Sequence, residues 1–298
     1  MRRVLTVAAQ GFVMTVALAC AAQNVIAQST FRSEDVSFDS MTVRDRGATV
    51  RGTLRLPQDA GDRFPAVLVL HTSAGARHDH HSDAFIEVLN RAGIATLWIE
   101  MFVDSGARPR STREVLPYTF GSLLYLSGHP RIDPQRIGVL GFSYGGVVAL
   151  LMASQELNQE YTGGKARFAA HLSLYPVCWI HQQVLSGANR AYDASTYMKF
   201  TGAAVHILAG EKDDYDEPDS CPKFVAALPE EARKHVAVTV YPGAYHSFDA
   251  PLRTRESYDA FAHAGRGGTV TLQYDAAAAA KSLEFAVAFF STQLAKKK

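Results

Sequence analysis

Ile137-Gly138-Val139-Leu140-Gly141-Phe142-Ser143-Tyr144-Gly145-Gly146-Val147-Val148-Ala149-Leu150 is the stretch whose reading decides the fold. Its apolar start reads as a short strand, Ser143 as a tight turn, and the small and apolar residues that follow as a helix beginning at once. Gly141 and Gly145 leave room for neighbouring backbone. The free N–H groups at the start of the helix point at any negative charge that develops on a substrate oxygen. Ser143 is therefore the candidate nucleophile of an acyl transfer; the competing reading is a glycine-rich turn packed for structural reasons. Gly-x-Ser-x-Gly is short, so the strand before it and the helix after it carry the assignment.

On both sides of this stretch, strands alternate with helices. Val36 to Val43 and Ala48 to Leu56 alternate as two early strands joined by a turn at 44–47, and Phe64 to Leu70 is a near-continuous apolar run suited to a sheet buried on both faces. A helix from Asp83 to Arg91 and a strand from Ile94 to Trp98 complete one strand-helix-strand unit. Tyr118 to Ser127 reads as a helix, and Asp133 to Arg136 as a turn into the strand before Ser143. Further strands are expected at Phe168–Leu174, Ala203–Ala209 and Val236–Tyr241, with helices near Cys221–Leu228 and Tyr274–Leu294. Residues 179–201 have no clean period and suggest a short lid or wall, and 250–273 read as loop. The pattern predicts an α/β fold: a mostly parallel central sheet, helices on both faces, no large cap, and a site at the carboxyl ends of the strands.

The first residues, Met1-Arg2-Arg3 followed by an apolar segment and Val25-Ile26-Ala27, have the layout of a secretory signal peptide cleaved after Ala27. The expected organisation is a removed leader at 1–27 and one domain over 28–298, in the periplasm or secreted. The 298-residue chain has a formal charge of +1, and loss of the leader's two arginines leaves about −1. That balance does not ask for nucleic acid, the one Lys/Arg cluster, Lys296-Lys297-Lys298, reads as a solvated tail, and the interrupted leader argues against stable membrane insertion. Cys178 and Cys221 remain after the leader; in an oxidising compartment they invite a disulfide, the alternative being two separate buried thiols.

A serine hydroxyl needs a base at neutral pH, and the base needs an orienting acid. The last strand delivers Gly243-Ala244-Tyr245-His246, and the strand before it Gly210-Glu211-Lys212-Asp213-Asp214. His246 is the candidate base and Asp213 the candidate acid, with Asp214 in reserve; Asp216 and Glu217 read as a solvated acidic loop. The oxyanion hole should combine the backbone N–H of Tyr144 with that of Ser73, or failing that Thr72. His71, Thr72, Trp98, Phe102 and Arg108, with Arg110, are candidate pocket residues; His71 suits lining the oxyanion loop, while Trp98, Phe102, Arg108 and Arg110 equally suit covering the sheet edge. His78, His80 and His81 around Asp79 lack a convincing further ligand, so they read as an exposed loop or site wall instead of a metal centre. His129, His171 and His206 read as structural. No cofactor and no metal are expected.

Taken together, Asp133-Pro134-x-Arg136-Ile137-Gly138-Val139-x-Gly141-Phe142-Ser143-x-Gly145-Gly146, Gly210-Glu211-Lys212-Asp213-Asp214 and Gly243-x-x-His246-x-Phe248 resemble the dienelactone hydrolase family within the α/β-hydrolase fold. The resemblance spans about residues 40–293 and implies Ser143 as nucleophile, Asp213 as acid and His246 as base. Best-known members of that family carry cysteine at the nucleophile position. A serine there depends more fully on its histidine, which moves the expected chemistry from activated enol-lactones toward general ester hydrolysis. The expected activity is a serine hydrolase of small acyl or aryl esters and lactones, acting on a small-molecule substrate. A serine peptidase or amidase of the same fold and a non-catalytic binding protein are the alternatives.

Overall fold

A computed structural model describes residues 31–40, 49–58, 63–103 and 108–296. The expected leader and the turn at 44–47 lie outside the described residues. The first half runs β1 (Phe31–Asp39), β2 (Thr49–Pro57), β3 (Phe64–Leu70), α1 (Ser82–Arg91), β4 (Ala95–Ile99), α2 (Leu116–Gly128), β5 (Ile132–Phe142), α3 (Tyr144–Leu151) and α4 (Gln155–Thr162). The second half runs β6 (Ala170–Leu174), α5 (Cys178–Leu185), β7 (Ala204–Gly210), α6 (Ser220–Ala227), α7 (Glu230–Arg233), β8 (Val236–Tyr241), β9 (Arg255–Asp259), α8 (Ala262–Gly265), β10 (Gly268–Leu272) and α9 (Ala276–Gln293).

Eight of these strands form one sheet in the order β1-β2-β4-β3-β5-β6-β7-β8. The pairs from β4 through β8 are parallel, while β1 and β2 add antiparallel at one edge. β3 shows why its sequence is apolar throughout. Ala66, Leu68 and Leu70 enter one core, Val67 and Val69 the core on the opposite face, and all five are fully buried. Each leucine or valine buried in this way contributes roughly 1.5–3 kcal/mol. Helices α1 and α9 cover one face, with Phe85, Leu89 and Phe290 inward; α2, α3 and α4 cover the other, with Phe120, Leu123 and Leu157 inward. The Asp275 carboxylate caps the start of α9 by accepting the N–H groups of Ala277 and Ala278, so the alanine-rich segment begins where its cap stands.

Three expectations need correction. Residues 250–273 are not a loop, because β9 and β10 pair antiparallel as a separate two-stranded hairpin. Their polar residues are largely exposed, so there is no apolar alternation to read. Residues 133–136 fall within the span of β5, where a register shift carries the pairing from Phe64↔Ile132 to Ala66↔Ile137. Asp133 still makes a local turn there by accepting the N–H of Gln135. The irregular wall at 179–201 contains helix α5 and a tight turn at Ala194–Tyr197. Among the described residues, no helix is long and apolar enough to cross a membrane.

Candidate active site

The functional candidates emerge at the carboxyl ends of the parallel strands. Ser143 follows β5 with φ 49° and ψ −112°, a conformation that L-residues seldom adopt, before α3 begins at Tyr144. Crowding dictates the flanking glycines. A Cβ on Gly141 would lie 2.1 Å from the Gly145 carbonyl oxygen, and one on Gly145 would lie 2.3 Å from that of Leu70. The Ser143 N–H donates to the Leu174 carbonyl at 3.0 Å and ties the elbow to β6.

Asp213, beyond β7, and His246, beyond β8, meet behind the serine. His246 Nδ1 lies 2.7 Å from Asp213 Oδ2, and His246 Nε2 lies 2.8 Å from Ser143 Oγ. A carboxylate accepts, so it selects the tautomer with the proton on Nδ1 and leaves Nε2 to receive the serine proton. The second Asp213 oxygen accepts the N–H of Tyr215 at 3.0 Å. Ser143, Asp213 and His246 are each at most 9% exposed, so these interactions act largely out of bulk water. Asp214 turns away instead. Its carboxylate accepts the Thr271 N–H and its carbonyl the His263 N–H, both at 2.8 Å, which anchors the β9–β10 hairpin.

A cavity of about 500 Å³ opens at Ser143. Ser143, Tyr144 and Ser73 share it with Arg108, Arg110, Trp179, Tyr192, Tyr215 and Phe261. The Tyr144 and Ser73 N–H groups donate to no acceptor among the described residues. Burial pushes the hydroxyls of Tyr144 and Tyr215 well above the usual phenol range, so they stay neutral. The Arg108 guanidinium rests over the Phe261 ring at 4.6 Å, joining the loop after β4 to the hairpin.

Of the six candidate pocket residues, Arg108 and Arg110 line this cavity; His71, Thr72, Trp98 and Phe102 do not. Fully buried His71 has its pKa lowered by burial, with the Thr72 hydrogen bond opposing. Its Nε2 accepts the Met101 N–H at 3.0 Å, so its Nδ1–H donates to the Thr72 carbonyl at 2.8 Å and braces the loop that leads to Ser73. Phe102 packs edge-on against both His71 and Tyr144. Trp98 donates its indole N–H to Asp79 at 2.7 Å. His71 and Phe102 follow strand ends, as the sequence suggested, while Trp98 lies within β4, and none of the three lines the cavity.

The histidine-rich segment divides in the same way. His78 and His80 are exposed, while buried His81 pairs with Asp249. Cys178 and Cys221 are bonded in the structure, their Cα atoms 5.0 Å apart. Asp216, beside them, is no solvated residue: it accepts the N–H groups of Cys178 and Trp179. The Cys178, Asp216 and Cys221 ligand atoms cluster closely enough to hold a metal, but the two sulfurs are joined to each other and offer no thiolate. Sequence reading missed Tyr175, Tyr215, Trp179, Asp249 and Asp259, the last of which lines the cavity and accepts the Tyr215 hydroxyl at 2.9 Å; none of them stands in a motif. Tyr175, directly after β6, and Tyr215, two residues after Asp213, were the available signals.

The sheet order, the strained serine after β5 and the helices on both faces define an α/β-hydrolase. The chain belongs to the dienelactone hydrolase family, whose family model matches residues 50–294. It is a carboxylic ester hydrolase acting on esters or lactones. A protein of Bradyrhizobium sp. named "Probable 2-oxo-3-(5-oxofuran-2-ylidene)propanoate lactonase" is 23% identical over 74% of this chain and 88% of that protein. Esterase FrsA of Serratia proteamaculans is 27% identical over 57% of this chain and 40% of its own length. Among solved structures, Est1E from Butyrivibrio proteoclasticus superposes with a TM-score of 0.59 at 16% identity, covering 87% of this chain and 99% of that one. Esterase 2 of Thermogutta terrifontis, phosphorylated by paraoxon, gives 0.62 at 18% identity over 88% and 96% of the two chains. At such identities the two structures share the fold.

Proposed function

We propose that the chain hydrolyses small acyl and aryl esters, and lactones, through an acyl-enzyme on Ser143, with His246 as base and Asp213 as its orienting acid. The observation that carries this reading is the unbroken hydrogen-bonded series Asp213–His246–Ser143 at the mouth of a cavity. Ser143 Oγ attacks the carbonyl carbon as its proton passes to His246 Nε2, and Asp213 stabilises the resulting imidazolium. The oxygen that becomes negative is held by the N–H groups of Tyr144 and Ser73, each such donor being worth about 2.7–4 kcal/mol in the transition state. Collapse breaks the bond to the leaving oxygen, which takes the proton from His246. A water then gives its proton to His246 and attacks the acyl carbon; collapse returns that proton to Ser143 and releases the acid.

The aromatic lining, Trp179, Tyr192, Tyr215 and Phe261, supports a preference for a flat apolar acyl or alcohol group. Relatives named as lactonase and esterase agree with both substrate classes. The Cys178–Cys221 bond supports a periplasmic or secreted location for the catalytic domain at 28–298.

The test is a screen of p-nitrophenyl esters, lactones and anilides on wild type and Ser143→Ala, with the fluorophosphonate adduct mapped by mass spectrometry. Hydrolysis that survives Ser143→Ala, or an adduct on another residue, defeats the assignment. Preference for anilides would instead favour an amidase.

A further inference from the structure

A second histidine-carboxylate pair lies buried behind the site, with a tyrosine between it and His246. Asp249 stands three residues after His246 in the same loop. Its Oδ1 accepts the Tyr175 hydroxyl at 2.5 Å and its Oδ2 lies 3.1 Å from His81 Nδ1, while the hydroxyl is itself 3.1 Å from that nitrogen. Tyr175, His81 and Asp249 are 1%, 6% and 8% exposed. The Tyr175 ring meets the His246 imidazole edge-on, centroids 4.7 Å apart, and Tyr215 covers the same imidazole at 4.4 Å.

None of these three groups touches the cavity, and nothing in the acyl transfer uses them. Their arrangement nevertheless has a cost. Tyr175 holds φ at +38°, a strained region for a tyrosine. Its N–H is fixed to the Leu208 carbonyl at 2.6 Å. A buried carboxylate is tolerable only with its donors in place, and here the donors come from two other parts of the chain. Tyr175 follows β6, and His81 precedes α1 at the end of the oxyanion loop. Asp79 accepts the His81 N–H at 3.1 Å and the Ser82 hydroxyl at 2.5 Å, which fixes that end.

We infer that Tyr175, held by Asp249 and His81, is a positioning residue for His246: it presses the imidazole into line with Ser143 and Asp213 while Asp249 binds the histidine's own loop to the oxyanion loop. This rests on the triad reading above. Strained backbone and a buried polar network at one spot are the expected signature of a supporting shell that must hold reacting groups to within a fraction of an ångström.

Tyr175→Phe keeps the ring and removes only the hydroxyl; Asp249→Asn keeps the shape and removes the charge. In folded protein well below its unfolding midpoint, each should lower kcat about tenfold with KM within about twofold, since ~1 Å of misplacement can cost about a hundredfold. The double variant should be no worse than about either single one, because both break the same device. The downfield NMR resonance of the His246 Nδ1 proton should shift or broaden in both. Wild-type kcat with lowered stability, or losses that multiply in the double variant, overturns the inference. Should the wild type show no Ser143-dependent hydrolysis, the triad reading falls, and an unmoved His246 resonance in Tyr175→Phe then decides against the positioning role independently.

Discussion

Asp216 accepts the backbone N–H of Cys178 at 2.5 Å, so the loop that carries the catalytic acid candidate is fastened to the first residue of α5. Trp179, the next residue, donates to the same carboxylate and lines the cavity. Cys178 is in turn bonded to Cys221 in α6. One wall of the cavity and the acid loop thereby move together.

Removing the covalent part of this fastening should be felt chiefly as stability. The two cysteines are 43 residues apart, for which the loop-closure relation gives about 4 kcal/mol. Cys178→Ser/Cys221→Ser should lower the urea midpoint by a corresponding amount, and reductant should do the same to wild type but not to the variant. Equal loss on reduction in both proteins contradicts this.

The two adjacent aspartates should separate cleanly. Asp213→Asn leaves His246 without its carboxylate, and an analogous change elsewhere costs about 10⁴ in kcat through the wrong tautomer. Asp214→Asn should retain activity within about tenfold while loosening the hairpin, since a single hydrogen bond to a charged acceptor is worth about 1.5–3 kcal/mol. Ester kinetics together with amide exchange at Thr271 read both outcomes, and a larger activity loss in Asp214→Asn reverses the assignment.

Stability should fall as pH rises toward neutrality. Burial, with the neighbouring Asp213 charge, pushes the Asp216 carboxyl from 3.8 up to about 7 against the N–H groups of Trp179 and Cys178. Between those values the folded chain holds a proton that the unfolded chain has released, so stability declines across that window. His81 acts in the same direction. Burial opposes its charge, but Asp249 and Asp79 outweigh that burial and the repulsion of Arg255, so its pKa is raised. Its contribution is complete below the ordinary 6.5 and is lost as pH climbs through the higher folded value. Urea midpoints from about pH 4 to 8 should fall more steeply for wild type than for Asp216→Asn. Parallel curves refute the Asp216 assignment.

Glycine replacements should divide by space. Gly145→Ala drives a methyl into the Leu70 carbonyl at 2.3 Å and should cost about 1–3 kcal/mol or more and most of the activity. Gly128→Ala, at the end of α2 with nothing within 4 Å, should be neutral or stabilising by up to about 1 kcal/mol. Thermal melts of the two variants compare them directly, and similar melting points would falsify the crowding argument.

By itself the sequence determined the alternation of strands and helices that builds the main sheet and the candidate chemical groups at its strand ends. The apolar run Phe64–Leu70 and the glycines around Ser143 report on their own immediate surroundings, where period and crowding are local properties. Ser143, Asp213 and His246 were legible as candidates because each stands just past a strand end in a recognisable context. Only the tertiary structure decided that Asp213 reaches His246 while Asp214 faces the hairpin, because adjacent side chains in one turn diverge by geometry that composition does not encode. The same holds for Tyr175, His81 and Asp249, and for Trp98 and His71 lying beneath the cavity instead of in it. These positions are set by contacts between residues up to 168 apart in the chain, as His81 and Asp249 are, and no local pattern records which distant partner a polar side chain will find.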